Sequence, residues 1–190
     1  VEIDPENQSD EMVQQREENA ALLQEWKHLW SLAGFEPRVL TMEDAHKHPQ
    51  FNDFVDKVEK IPLIGGSGPG GTFNRLCFIR WLAMAQVGGG LMSDIDVIPI
   101  KGAPAIAPTI PKQFTMYDEV PGYGGIPCLL AGSQEEWTRM AMSIVDFASN
   151  NKAPNEYNAW SDMFAVLEYG KAHPDKYIVN HLVHEVDEIL

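Results

Sequence analysis

The stretch QVGGGLMSDIDVIPI (Gln86–Ile100) decides the fold, because it joins an apolar helix to a segment with the character of a buried strand. Three consecutive glycines, Gly88–Gly90, end the helix, let the chain reverse tightly and permit close approach of a ligand to the backbone. Asp94 and Asp96 then stand one residue apart. Side chains alternate across a strand, so the pattern predicts that both carboxylates face one side and Ile95 the opposite layer.

The pair Asp94 and Asp96 has the chemistry of a cation site. Two carboxylates this close repel each other unless a positive charge lies between them. Mg²⁺ and Mn²⁺ prefer oxygen ligands, and their sites usually keep waters and recruit ligand phosphates. The pair therefore indicates half of a metal site at the end of a central strand. A solvated turn with two ordinary acids stays open as the alternative.

Arg80 lies in the middle of the preceding helix, which we expect over Phe73–Val87. That helix is apolar nearly all round and should be buried. A buried guanidinium keeps its proton and must be paired. The expected partner is Asp94, another acid or an anionic ligand, and a purely structural ion pair is equally compatible with the sequence.

The order of Arg80, a Gly-Gly turn, and a strand ending in Asp94 and Asp96 resembles the sugar-nucleotide motif of the DXD glycosyltransferases with the GT-A fold. That group includes fungal Golgi mannosyltransferases and the glucosylating clostridial toxins. The resemblance covers mainly residues 74–99, and it extends more weakly to WKHLWSLAGFEPRVLT, residues 26–41.

The resemblance implies a role for each residue of the motif. Asp96 would bind the metal, Mn²⁺ or Mg²⁺, that holds a nucleotide diphosphate. Asp94 would contact the ribose or sugar of the donor, or also the metal. Arg80 would contact the donor sugar or brace the aspartates, and Gly89 would belong to the donor site.

The chain departs from the family pattern at three places. Met92–Ser93 stands where an aromatic or aliphatic pair usually precedes the first Asp. Cys77 stands where an Asp often lies three residues before the Arg, and Gly90 is a third glycine in the turn.

The predicted fold is α/β and GT-A-like (nucleotide-diphospho-sugar transferase), with a mostly parallel sheet flanked by helices in a single domain over residues 1–190. The chain opens on a long helix, residues 10–33, whose apolar positions include Trp26 and Trp30, and PRVLT (37–41) is expected as a strand. Further helices are expected over residues 50–60, 133–151 and 158–174, and Ser133 with Glu136 fits a capping box at the start of the second of these. A doubly wound sheet normally begins with a strand, so we expect the first strand to lie upstream. The sequence begins with Val1 instead of Met, which fits a piece of a longer product.

The expected reaction is transfer of a sugar from a UDP- or GDP-linked donor to a hydroxyl of a carbohydrate or protein-glycan acceptor. No catalytic base and no stereochemical course is assigned. A formal net charge of −14 argues against nucleic acid and anionic membranes as partners, whereas a cation can join a diphosphate to an acidic protein. No run is long and apolar enough to span a membrane. The compartment is unassigned, with the Golgi lumen expected if an upstream segment anchors the chain.

Two alternatives compete with the transferase. One is a non-catalytic GT-A-like domain used for interaction. The other is a phosphatase of the haloacid dehalogenase type, with Asp94 as nucleophile and Asp96 as acid, although the later acidic pair of that class is not evident.

Weaker candidates lie elsewhere in the chain, and each also has a purely structural interpretation. Gly66, Gly68 and Gly71 spell a dinucleotide fingerprint but favour a flexible loop, and Asp162 is either a helix-start residue or an acid for the acceptor. His46 and His48 are expected in a loop. His181 and His184 are possible metal ligands that more simply serve as surface or core residues, and Tyr123 and Trp160 could stack on a sugar but more simply pack in a loop or the core.

Overall fold

The computed structural model describes residues 10–100, 109–118 and 127–181. Within these ranges the chain forms two compact units. Unit 1 contains residues 10–38 and 94–100, and unit 2 contains residues 39–93, 109–118 and 127–181. The expectation of a single domain over residues 1–190 stays a prediction.

Unit 1 is built on helix α1 (Asp10–Leu32), which matches the predicted helix to within one residue. The helix ends at a glycine, because Gly34 takes φ +91°, a conformation that other residues adopt only at a cost. Beyond it, the amide of Phe35 donates to the carbonyl of Trp30 at 3.1 Å, and the two rings meet edge to face at 5.1 Å. Residues 94–100 of the same unit begin with a turn and contain no regular element.

Unit 2 contains helices α2 (Met42–His46), α3 (Phe51–Val58), α4 (Pro69–Gln86), α5 (Gln134–Asn150) and α6 (Asp162–Ala172). Helices α3, α5 and α6 confirm the predicted helical segments. Helix α2 was not predicted, and it ends at His46, which was expected in a loop. The helix forms because the Asp44 carboxylate accepts from the Thr41 amide at 2.9 Å, which closes its first turn.

Helix α4 begins one turn earlier than predicted. Pro69 occupies its first turn after Gly68, a position where proline's fixed φ suits a helix and its missing N–H costs nothing. The Asn74 side-chain amide donates to the carbonyls of Ile64 and Gly70, at 3.0 and 2.9 Å, and so ties the preceding glycine loop to the helix. Residues 69–71 are therefore helix instead of loop.

The sheet of unit 2 has four described strands, β1 (Gly89–Ser93), β2 (Thr115–Asp118), β3 (Leu129–Ser133) and β4 (Ile178–His181), in the order β1-β3-β2-β4. Strand β3 pairs antiparallel with both β1 and β2, and β2 pairs parallel with β4. The α/β class is confirmed, but the described sheet is mixed and the mostly parallel sheet is not confirmed. Strand direction follows from long-range backbone pairing, which local sequence patterns do not report.

The strand predicted over residues 37–41 is wrong. Residues 35–41 have no regular structure, and Thr41 directly precedes α2. A short apolar run with a proline is weak evidence for a strand, because its β propensity depends on a partner strand.

The core of unit 2 lies around α4 and α5. Trp81 of α4 stacks on Phe114 at 5.6 Å, and Trp137 of α5 meets both rings edge to face at 5.4 and 4.9 Å. Aromatic pairs in these orientations add stability beyond the area they bury. The prediction that α4 is buried holds for its second half, whereas Phe73 and Leu76 in its first half are exposed. Among the described residues, none of the helices has the length and apolarity to cross a membrane.

Candidate functional site: the D-x-D turn and the Arg80 ion pair

Asp94 and Asp96 lie in a turn that directly follows β1, and not on a strand as predicted. Strand β1 ends at Ser93, and the amide of Val97 donates to the carbonyl of Asp94 at 3.1 Å, which closes the turn. Ile95 is 39% exposed, so it does not enter the layer opposite the carboxylates. The alternation of side chains that was expected to place both carboxylates on one face does not extend to them, because strand β1 ends at Ser93. Strand β1 also stands at one end of the described strand order instead of at its centre.

Two tryptophans of α1 hold the backbone of this turn within unit 1. The indole Nε1–H of Trp26 donates to the carbonyl of Asp94 at 3.1 Å. The indole Nε1–H of Trp30, one helical turn later, donates to the carbonyl of Val97 at 3.1 Å. Residues four apart lie on one face of a helix, so both donors reach the same segment. The two ends of the turn are therefore attached to one rigid element.

The carboxylates of the turn differ in exposure. Asp96 is exposed and Asp94 is half-buried. Both carboxylates lie within a single backbone turn whose conformation is held by hydrogen bonds. A pair of carboxylate ligands suits a hard cation that keeps several waters. Within residues 10–100, 109–118 and 127–181, no group of three or more His, Cys, Asp or Glu side chains is placed to hold a metal ion. The donor set at this turn thus fits Mg²⁺ or Mn²⁺ only if water or ligand phosphate completes the coordination.

Arg80 forms an ion pair within unit 2, as its place in an apolar helix predicted. Its Nη2 lies 3.0 Å from Oδ2 of Asp162 and also donates to the carbonyl of Pro127 at 3.1 Å. The Arg80 side chain is 27% exposed and the Asp162 side chain 5%. The structure therefore identifies an acid other than the D-x-D pair as a partner of Arg80.

Asp162 is the more buried member of this pair and serves several donors. Its Oδ2 also accepts from the indole Nε1–H of Trp81 at 3.1 Å, and its Oδ1 accepts from the amide of Met163 at 2.9 Å. Ser161 caps α6 by accepting from the amide of Phe164 at 3.3 Å. Asp162 thus stands in the first turn of α6, where a negative charge is favourable, and ties that helix to α4.

The glycines between α4 and β1 are explained by backbone geometry. Gly88, Gly89 and Gly90 have φ of +100°, +79° and +122°. A Cβ on Gly89 would lie 2.5 Å from the carbonyl oxygen of Gly132 in β3. Gly89 is therefore required for the reversal against β3, and its implied donor contact stays a prediction.

The G-x-G-x-x-G segment has a structural explanation as well. A Cβ on Gly71 would lie 1.6 Å from the carbonyl oxygen of Gly66, so the loop packs directly on the first turn of α4. Gly65 and Gly66 have φ of +86° and +57°. These close backbone contacts account for the glycines without a dinucleotide.

The remaining weak candidates divide into core residues and residues beyond the description. Trp160 is a buried core residue. His48 is buried, its Nδ1 accepts from the amide of Gln50 at 3.2 Å, and burial lowers its pKa from the ordinary value. His181 ends β4, but its side chain lies outside the described residues, as do Tyr123 and His184.

Two features of the site were missed by sequence reasoning. Trp26 and Trp30 were assigned only to the apolar face of α1, although an indole N–H that becomes buried needs an acceptor. Asp162 was interpreted as a helix-start residue or an acid for the acceptor, and nothing in its local sequence pointed to Arg80, 82 residues away. The spacing of Trp26 and Trp30 could have indicated that both indoles bind one segment, whereas no sequence feature could have identified Asp162 as the partner of Arg80.

A comparison with protein-family models matches residues 3–153 to a domain of unknown function, DUF8765. That range includes α1, the D-x-D turn and Arg80, and it ends before Asp162. Searches of curated proteins and of solved structures gave no significant match. Because the matched range covers most of the 190 residues, the chain belongs to the DUF8765 family.

Proposed function

We propose that this chain is a metal-dependent glycosyltransferase domain of the GT-A type, which moves a sugar from a UDP- or GDP-linked donor to an acceptor hydroxyl. One observation carries the proposal: a helix, a glycine reversal and a short strand lead directly into a held turn that displays Asp94 and Asp96. This is the order of elements that the sequence motif implies for a sugar-nucleotide site.

The proposed role of Asp94 and Asp96 is to bind a divalent cation that carries the donor diphosphate. When bound, Mn²⁺ or Mg²⁺ would neutralise negative charge that grows on the departing diphosphate. Asp96 is the exposed member and is assigned as the principal ligand. Asp94, half-buried at the start of the turn, is assigned to the ribose or sugar of the donor or to the same cation.

Arg80 has a second assignment within the proposal. Its contacts with Asp162 and the Pro127 carbonyl orient the guanidinium, and its side chain keeps 27% of its surface exposed. That exposed fraction is compatible with a contact to an anionic donor. A guanidinium already held in one orientation loses little entropy when it meets phosphate or sugar oxygens.

The decisive test is nucleotide binding with and without metal. The wild type should be stabilised in a thermal melt by Mn²⁺ together with UDP or GDP, and less by either nucleotide alone, because the cation bridges two negative partners. Asp96→Asn removes one anionic ligand, so it should lower the Mn²⁺–nucleotide affinity at least about tenfold while the metal-free melting temperature stays within about 2 °C.

The matched control is Asp56→Asn, which removes an exposed carboxylate from α3 and should leave the ligand-induced shift unchanged. If Asp96 served only the fold, its substitution would lower stability and leave nucleotide affinity alone. Absence of any Mn²⁺-dependent nucleotide effect in the full-length wild type would defeat the transferase and leave a non-catalytic domain as the better account.

A further inference from the structure

We propose that Trp26 and Trp30 are positioning residues that hold the Asp94–Val97 turn in its cation-binding conformation. The inference rests on the proposed function of that turn. It gives a role to two residues of α1 to which the resemblance, only weak over residues 26–41, assigns none. The motif itself covers mainly residues 74–99.

Each of the two indole N–H groups donates to one end of the turn. Trp26 Nε1 and Trp30 Nε1 each lie 3.1 Å from a backbone carbonyl, and those carbonyls belong to Asp94 and Val97, the first and last residues of the turn. The Asp94 carbonyl accepts twice, from the indole of Trp26 and from the Val97 amide. A carbonyl oxygen has two lone pairs, so this carbonyl is fully used.

A turn without these two contacts would be poorly constrained. A four-residue turn after a strand end carries few constraints, and its middle residues Ile95 and Asp96 are exposed. Without further contacts, the two carboxylates would repel each other and sample separated positions. Binding of a cation would then have to order the two carboxylates, and the entropy lost in that ordering weakens the affinity. Attachment of both ends to one helix removes most of that cost in advance.

Trp26 combines a ring that is only half-buried with an N–H that donates to the turn. Trp26 is half-buried, and its ring is 6.4 Å from that of Trp30. Trp160 provides the contrast: its ring is buried in the core of unit 2, and its Nε1 has no hydrogen-bond partner among the described residues.

The test uses Trp26→Phe, Trp30→Phe and the double variant of the full-length protein. Phenylalanine keeps an aromatic ring and removes the N–H donor. Amide hydrogen exchange of Val97, whose N–H closes the turn, should accelerate about 2- to 10-fold in each single variant, as expected for one lost hydrogen bond. The affinity for Mn²⁺ with UDP, and in parallel with GDP, should fall by a similar factor. The double variant should show the larger effect.

Trp160→Phe is the control, because it removes an indole of equal size without removing a described hydrogen bond. It is expected to lower stability while leaving Val97 exchange and Mn²⁺–nucleotide affinity at wild-type values.

Three outcomes overturn the inference, and they are distinguishable. Unchanged Val97 exchange in the α1 variants shows that the indoles do not hold the turn. Faster exchange with unchanged Mn²⁺–nucleotide affinity shows that the held conformation is irrelevant to binding. No Mn²⁺-dependent binding by the wild type overturns the proposed function itself, and the positioning role with it. Faster exchange together with weaker binding, absent in Trp160→Phe, supports the inference.

Discussion

Substitution of Asp162 by Ala should be among the most destabilising single changes in unit 2. The carboxylate accepts from Arg80 at 3.0 Å, from Trp81 at 3.1 Å and from Met163 at 2.9 Å. Its side chain is only 5% exposed, so its removal leaves these donors with little access to water. A buried charge left without its partner typically costs about 3–5 kcal/mol.

The structure places the expected loss at the lower end of that range. Arg80 is 27% exposed and keeps the Pro127 carbonyl at 3.1 Å, so water and that carbonyl offset part of the lost pairing. The indole N–H of Trp81, which is fully buried, has no such compensation and contributes about 1–3 kcal/mol within the total. We therefore expect Asp162→Ala to lower the free energy of unfolding by about 3 kcal/mol. For a chain of this size, that corresponds to a fall of about 6–12 °C in melting temperature.

The assay is urea unfolding followed by tryptophan fluorescence, with Asp162→Asn as a second variant. Asparagine keeps an oxygen for Trp81 but loses the charge that faces Arg80, so it should cost about half as much as alanine. The control is Asp146→Ala, whose carboxylate pairs with Lys57 at 2.6 Å but with side chains 52% and 41% exposed. Such a surface pair contributes at most about 1 kcal/mol. Equal losses in Asp162→Ala and Asp146→Ala would refute the reasoning that burial makes the Arg80 pair important.

Three further predictions follow from other parts of the chain. Gly89→Ala should lower the free energy of unfolding by about 3 kcal/mol, because φ is +79° and the added Cβ would lie 2.5 Å from the Gly132 carbonyl oxygen. Gly34→Ala is the control: its φ is +91° but the space around it is open, so it should lower the free energy of unfolding by only about 1 kcal/mol. Equal losses in the two variants, measured by urea unfolding, would show that the contact with β3 is not the cause. Burial lowers the pKa of His48 below its ordinary value of 6.5, so the unfolded chain takes up a proton at a higher pH than the folded chain does. The free energy of unfolding should therefore decline as pH falls below about 6.5, and it should level off below the folded-state pKa. His48→Gln should flatten that decline in urea titrations across the same pH range, and an unchanged profile would assign it to other groups. In isothermal calorimetry, Asp96→Asn should weaken Mn²⁺–nucleotide binding without loss of fold, whereas a melt-only effect would make Asp96 structural.

Helices were predictable from the sequence where the apolar spacing and the capping residues indicate the same boundaries. Helix α1 was placed to within one residue, because its apolar spacing and the glycine after its end both act within one or two turns. The Ser133 cap of α5 was also predicted, and its Oγ accepts from the Glu136 amide at 3.3 Å. The reciprocal half of that capping box is absent from the described contacts, since the Glu136 carboxylate accepts from the Phe114 amide and from Arg139 instead. A tertiary partner replaced the local one.

The D-x-D pair shows where periodicity misleads. An apolar run after glycines resembled a strand that continues to Val97, but the ladder with β3 stops at the pair Ser93–Leu129. Strand length depends on how far the partner strand extends, and the partner lies about 40 residues away in the chain, a separation that no local window covers. The aspartates therefore stand in a turn, displayed at its surface, instead of on a pleated face.

The sequence by itself determined helices α1, α3, α5 and α6, the glycine reversal after α4, the ion pairing of Arg80, and the adjacency of Asp94 and Asp96, because each depends on neighbouring residues or on the cost of burying a charge. Only the tertiary structure decided that Arg80 pairs with Asp162, that β3 runs antiparallel to its two neighbours, and that Trp26 and Trp30 hold the D-x-D turn. These contacts join residues from 14 positions apart, in the pairing of β2 with β3, to 82 positions apart, in the Arg80–Asp162 pair, and many residues along the chain have the same chemistry. The choice among chemically equivalent partners is made by packing of the whole unit, which brings one of them within bonding distance.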